Sequence, residues 1–131
     1  MSSDERSPTL TDYLAGVVLT NGLAVMALNV AVYVSFLSGL LIPFWVVGSA
    51  AASYLVCTRT TKGHLVVGAK TAVASTIMGV LMIPAFTGAE FDSVVPVLAC
   101  YLVGGVSGAY LALRDRMRRL REAATSANAQ P

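Results

Sequence analysis

The sequence predicts an all-α integral membrane protein: a four-helix bundle of two antiparallel hairpins with both termini in the cytoplasm. Three observations carry that prediction. Of the 131 residues, 56% are hydrophobic and 12% charged, about half the charged share usual in a soluble domain, roughly 25%. Between Tyr13 and Leu113 only five charged residues occur: Arg59, Lys62, Lys70, Glu90 and Asp92. A chain so poor in charge there can face acyl chains but not water. Finally, breakers cut the apolar sequence into four stretches, each near the ~20 residues that cross a hydrocarbon core about 30 Å thick.

The elements follow in chain order. Residues 1–12 are polar, with Pro8 among them, and read as a disordered cytoplasmic tail. They do not form a secretory signal, which needs a positive start and a shorter apolar core. Thr11 or Asp12 can cap the helix that follows. The first span covers 13–36 and is broken by Ser38 and Gly39. The second covers 40–58, with Pro43 in its first turn, where the missing N–H costs nothing. Arg59 to Gly63 form a polar turn before the third span, 64–86. Thr87 to Ser93 form an acidic turn, and Pro96 opens the fourth span, 94–113. Beyond it, Leu113, Met117 and Leu120 recur at helical spacing. The segment 114–131 therefore reads as a basic juxtamembrane helix of about two turns and then a disordered tail rich in Ala, Ser, Asn and Gln.

Charge sets the orientation. With the N-terminus inside, the inner segments hold Arg6, Arg59, Lys62, Arg114, Arg116, Arg118, Arg119 and Arg121, and Lys70 can snorkel inward. That accounts for all nine basic residues. The outer turns hold none, and they carry Glu90 and Asp92. Positive charge near span ends is retained in the cytoplasm, so the cell membrane is the expected location and a single topology is expected. Cys57 and Cys100 fall at depths roughly 15 Å apart, too far for a bridge whose Cα atoms must approach within about 7 Å.

Small residues recur four apart. Gly104, Gly108 and Ala112 form one ridge of the fourth span, and Gly105 and Ala109 a second. Gly48 and Ala52 lie on the second span; Gly68 and Ala72, and Ser75 and Gly79, lie on the third. Such ridges let backbones approach closely. Packing within one chain is the plainer reading; the sharper one is an interface in a homo-oligomer or a larger membrane complex. Gly48 to Leu55 also echoes Gly104 to Leu111, with Gly, Tyr and Leu coinciding. This fits either a duplicated hairpin or two small-residue spans of like orientation.

Asn21 and Asn29 are the most polar groups deep in the first span, and buried amides need partners. Bonds to Ser75, Thr76 or Ser107 would satisfy them. Alternatively they line a narrow polar path, with Thr20, Thr71, Ser75, Thr76 and Ser107 the only candidates to complete it. The basic residues Arg59, Lys62, Lys70, Arg114, Arg116, Arg118, Arg119 and Arg121 suit anionic lipid headgroups on the cytoplasmic side, each contributing about 1 kcal/mol, or an acidic partner. Nucleic acid is not expected, because no aromatic residues interleave the arginines.

Reactive constellations are missing from the pattern. His64 has no neighbouring ligand set for a metal. No P-loop, H-E-x-x-H, G-x-S-x-G or C-x-x-C motif occurs. No ionisable residue sits at mid-depth, where proton pathways need one. Neither an enzyme nor a cofactor is expected.

Gly68-Ala69, the acidic outer turn, and Gly104-Gly105-x-x-Gly108-Ala109-Tyr110-Leu111 ahead of an arginine resemble small four-span membrane proteins of unknown function common in archaea. The likeness lies mainly over residues 48–116 and implies the four-span architecture but no activity. Small multidrug exporters and fluoride channels are also short four-span proteins. The first depend on a membrane-buried glutamate in the first span, which this span lacks. The second typically insert in both orientations, against the charge bias here. The expectation is a non-enzymatic packing or accessory subunit or homo-oligomer, with a small channel or transporter as the alternative.

Overall fold

The computed structural model describes residues 7–34, 39–88 and 94–128. Those residues form four α-helices and no strands: α1 (Leu10–Tyr33), α2 (Leu41–Thr58), α3 (His64–Thr87) and α4 (Val95–Asn128). All four are long and apolar enough to cross a membrane.

The helix ends follow local chemistry. Thr9, rather than Thr11 or Asp12, caps α1. Its hydroxyl accepts from the Asp12 N–H at 3.3 Å, and the Asp12 carboxylate accepts from the Thr9 N–H at 2.9 Å. This reciprocal box needs an acid three residues after the cap, and Thr9 and Asp12 have that spacing. The first helix therefore starts at Leu10, inside the segment expected to be tail, and ends at Tyr33 rather than Phe36; Ser35, Phe36 and Ser38 lie outside the described residues. Gly63 and Gly88 bracket α3 in the left-handed region, at φ 69° and 66°, where a side chain would meet its own backbone. Glu90 and Asp92 of the expected acidic turn lie outside the described residues.

The fourth helix is longer than its sequence suggests. It runs without a break through Asn128, so the tail expected to be disordered is helical as far as it is described. Three local features explain this. Arg118 pairs with Glu122 and Arg119 with Asp115, each four residues apart. Ala123 and Ala124 have the highest helix propensity. Thr125 and Ser126 turn their hydroxyls onto the carbonyls of Arg121 and Glu122, both at 2.9 Å, and so do not compete with the helix. At 1.5 Å per residue the 34 residues of α4 measure about 51 Å, about 20 Å more than a hydrocarbon core.

Glycine decides how the helices meet. A Cβ on Gly104 would overlap the Val46 carbonyl, and one on Gly108 would overlap the Ala50 carbonyl, so α4 lies backbone to backbone on α2. A Cβ on Gly68 would come within 2.6 Å of the Gly105 carbonyl oxygen and the Ala109 Cβ, which sets α3 against α4. Gly16 faces Val56 of α2 and Thr71 of α3. The large aliphatic side chains point the other way: Val18, Ile42, Val47, Leu55, Ile77, Leu81 and Val103 are all more than half exposed. The bundle is thus small and partly polar inside and large and apolar outside, the reverse of a water-soluble domain.

Gly108→Ala should lower the thermal unfolding temperature of the detergent-solubilised protein, because overpacking a tight contact costs about 1–3 kcal/mol. Gly22, whose Cβ would meet nothing within 4 Å, is the control. Gly22→Ala should be neutral or gain up to about 1 kcal/mol from helix propensity. Equal unfolding temperatures for the two variants would contradict the backbone contact at Gly108.

Candidate functional site

Two polar regions interrupt the apolar bundle. The first is a seam through its middle. Asn21 of α1 is 2% exposed. Its Nδ2 donates to the Val17 carbonyl at 3.0 Å and to the Ser75 carbonyl of α3 at 3.1 Å. Its Oδ1 accepts from the Tyr101 hydroxyl of α4 at 3.3 Å. The Tyr101 carbonyl in turn accepts from the Ser49 hydroxyl of α2 at 2.8 Å. One chain of hydrogen bonds therefore links all four helices. Gly79 gives it room, since a Cβ there would come within 2.6 Å of the Asn21 Oδ1 and 3.5 Å of the Tyr101 ring.

The remaining hydroxyls mostly bond to their own helices. Thr20 donates to Gly16, Thr71 to Val67 and Thr76 to Ala72, at 2.9–3.0 Å. The Oγ atoms of Ser53 and Ser75 and the Nε1 of Trp45 are buried and unpaired. Asn29 lies elsewhere, on an exposed face of α1, where its Nδ2 donates to the Val25 carbonyl at 2.8 Å. Ser107 is also exposed. The structure thus brings Asn21 together with Ser75 and Gly79, but not with Asn29 or Ser107.

Every residue of the small-residue ridges is buried: Gly48, Ala52, Gly68, Ala72, Ser75, Gly79, Gly104, Gly105, Gly108, Ala109 and Ala112. These residues face neighbouring helices of the same chain. Tyr101 is the seam residue that sequence reasoning missed. It is fully buried and the largest such side chain among the described residues. A signal was available, since a phenol in mid-span needs a partner for its hydroxyl.

The second region gathers at the end where α2 stops, α3 starts and α4 leaves the bundle. Arg59 pairs with Asp12 at 3.2 Å, tying the end of α2 to the start of α1. The Cys57 thiol donates to the His64 carbonyl at 3.3 Å, closing the α2–α3 turn. The Arg116 guanidinium reaches across from α4 and donates to the carbonyls of Thr60 and Thr61. The Tyr54 hydroxyl donates to Asp115 at 3.4 Å, and Asp115 also holds Arg119 at 2.9 Å. Lys62 and Lys70 flank a shallow cleft of about 550 Å³ on the neighbouring side of this turn. Arg114, Arg118 and Arg121 stand exposed along the α4 extension.

The chemistry available here is electrostatic. Cys57 and Cys100 are both free thiols. Among the described residues no three His, Cys, Asp or Glu side chains converge as a metal site would require. The basic residues among those described lie at one end of the bundle, while Asn21 and Tyr101 lie within it.

Tyr101→Phe should cost about 1 kcal/mol by removing one partner of the Asn21 amide. Asn21→Leu should cost more, because it also strips a donor from the Ser75 carbonyl and must fit beside Gly79. In a double-mutant cycle read by thermal unfolding in detergent, the pair should be non-additive, as residues sharing a bond are. Strict additivity would show that the hydroxyl–amide bond contributes nothing.

The chain matches no protein-family model, no curated protein and no solved structure.

Proposed function

We propose that this chain is a multi-pass protein of the cell membrane whose four helices form an anchor and whose basic α4 extension is the surface offered to the cytoplasm. It acts without catalysis, as an accessory subunit of a membrane complex or as a homo-oligomer. The observation that carries this reading is the division of labour within α4. Its first part is locked by glycine contacts into the bundle, and its last four turns or so project outward, exposed and rich in arginine.

Insertion is supported by the outward-facing aliphatic side chains and the four apolar helices. The order of contacts supports antiparallel hairpins. Along α1, Gly16 meets Val56 and Ala52, and further on Leu23 meets Gly48, so rising numbers on one helix meet falling numbers on the other. In the same way Gly68 meets Ala109 and Gly105, while Gly79 meets Tyr101. The inside orientation of both ends rests on the basic residues.

The closed chain from Asn21 through Tyr101 to Ser49 supports packing over a solute path. Asn29, the other amide such a path would use, lies on the outer face of α1. The buried small-residue ridges leave little of themselves for a second copy. An oligomer would therefore form through the exposed aliphatic faces or the α4 extension.

Native mass spectrometry of the full chain released from mild detergent tests this reading. The expected result is a higher oligomer or a stoichiometric companion protein, lost when Arg114, Arg118 and Arg121 are changed to glutamate. Its retention should also fall with ionic strength, as contacts between exposed charges do. A lone monomer with no companion under all conditions counts against the proposal. A reporter fused behind Pro131 should be cytoplasmic, and an external reporter would reverse the orientation.

A further inference from the structure

Arg116 differs from every other described basic residue at this end of the bundle. It is half-buried, whereas Arg59, Arg114, Arg118, Arg119 and Arg121 are exposed. The three carboxylates among the described residues are Asp12, Asp115 and Glu122, and they pair with Arg59, Arg119 and Arg118. Arg116 has no carboxylate within ion-pair distance among the described residues. Its helical neighbours three and four residues away are Ala112, Leu113, Arg119 and Leu120, none of them acidic. Only the Thr60 and Thr61 carbonyls hold it, through one nitrogen of the guanidinium. A half-buried cation without a balancing charge is costly.

The space beside it is a cavity of about 390 Å³, bordered by Arg116, Arg119, Thr60, Thr61, Cys57 and His64. His64 is 6% exposed and borders the same cavity. It is also the first residue of α3, whose cap Gly63 offers no side-chain acceptor to the free N–H groups. Three kinds of donor therefore border one pocket: a guanidinium, a buried imidazole, and the uncapped, partly positive start of a helix. An anion with several acceptor oxygens satisfies all of them.

We infer that this cavity binds one phosphate group of a membrane lipid, held by Arg116 and His64 at the start of α3. The source follows from height. The pocket lies where α2 ends and α3 begins, and where α4 passes from its apolar part to its arginine-rich part, which is the level of the headgroups if the chain spans a bilayer. The inference thus rests on the membrane reading and deepens it, replacing a diffuse attraction by one built site. A planar guanidinium matches phosphate oxygens in pairs, so Arg116 carries most of the affinity and His64 adds a second donor.

The test uses the full-length protein in mild detergent, titrated with phosphatidylglycerol, phosphatidylcholine or inorganic phosphate alone, with bound ligand read by native mass spectrometry. One phosphatidylglycerol should be retained saturably, and phosphatidylcholine more weakly. Arg116→Gln should weaken retention about tenfold or more, the worth of a charge-assisted bond. Arg121→Gln removes the same charge from the exposed part of α4 and should weaken it much less than Arg116→Gln does. His64→Leu touches neither turn carbonyl through its side chain and serves where Arg116→Gln fails to fold. Lipid should raise the unfolding temperature of the wild type, as ligand binding does, and that of His64→Leu clearly less.

Equal losses for Arg116→Gln and Arg121→Gln would reduce the effect to general charge and overturn the site. So would wild-type retention in both His64→Leu and Arg116→Lys. Binding of inorganic phosphate with no lipid retained would overturn the lipid source. Flotation with uncharged vesicles separates the two levels. No flotation of the wild type defeats the membrane reading itself, whereas flotation without saturable lipid defeats only the site.

Discussion

The contact on which the rest of the molecule depends is the one between the backbones of α4 and α2. At Gly104 and Gly108 there is no room for a single extra carbon before the carbonyls of Val46 and Ala50. If the bundle lies in lipid, as proposed, no hydrophobic force drives its helices together, and such close approach is the main source of attraction between them. It also fixes the rotation of α4 about its own axis. With Gly104 and Gly108 turned onto α2, Gly105 and Ala109 turn onto Gly68 of α3. Tyr101 then points into the centre, and Arg116, further along α4, arrives over the α2–α3 turn. One steric constraint thus places both polar regions.

On the proposed membrane reading, the central seam follows from what a bilayer cannot provide. A polar group without a partner is expensive where no water competes. Asn21 meets this by using both ends of its amide, with donors to two carbonyls and an acceptor for Tyr101. The threonines bond within their own helices. Such back-bonding satisfies a hydroxyl without linking helices, so the cross-links of the seam come from Asn21, Tyr101 and Ser49. Its effect is to hold the register of four helices whose contact surfaces are otherwise nearly featureless. Small side chains allow sliding, and an amide bonded to two neighbouring helices restrains it.

Much of this architecture was legible in the sequence, and the illegible parts share a cause. Gly104, Gly108, Gly68 and Gly79 announce themselves by four-residue spacing, because spacing alone determines which residues share a helical ridge. The spans were visible because length and apolarity are properties of the segment itself. The end of α4 was not, because Ala, Ser, Asn and Gln compose disordered tails and helices alike, and the pairs that decide between them depend on a helix already formed. The direction each amide faces was hidden too. Asn21 and Asn29 are eight residues apart, which at 3.6 residues per turn leaves them about 80° apart around the axis, and a bundle this narrow buries one and exposes the other. The phenol of Tyr101 signals in the sequence that its hydroxyl needs a partner, but not which one. That partner, Asn21, is visible only in the fold.

The basic end carries the argument beyond packing. Counting arginines there predicts an orientation but treats them as equivalent, and the structure separates them. Arg59, Arg118 and Arg119 each have a carboxylate, so what they offer to other molecules is reduced. Arg114 and Arg121 stand in the open, where water screens them at little cost. Among the described basic residues Arg116 alone is drawn partly out of water, fixed by the carbonyls of the turn on the far side of α3 in sequence. That fixing lowers the entropy lost when an anion binds. It also makes the α2–α3 turn and the α4 extension a single mechanical unit. Whatever neutralises Arg116 would therefore alter how firmly α4 is held where it leaves the bundle, and so the angle at which the basic arm is presented.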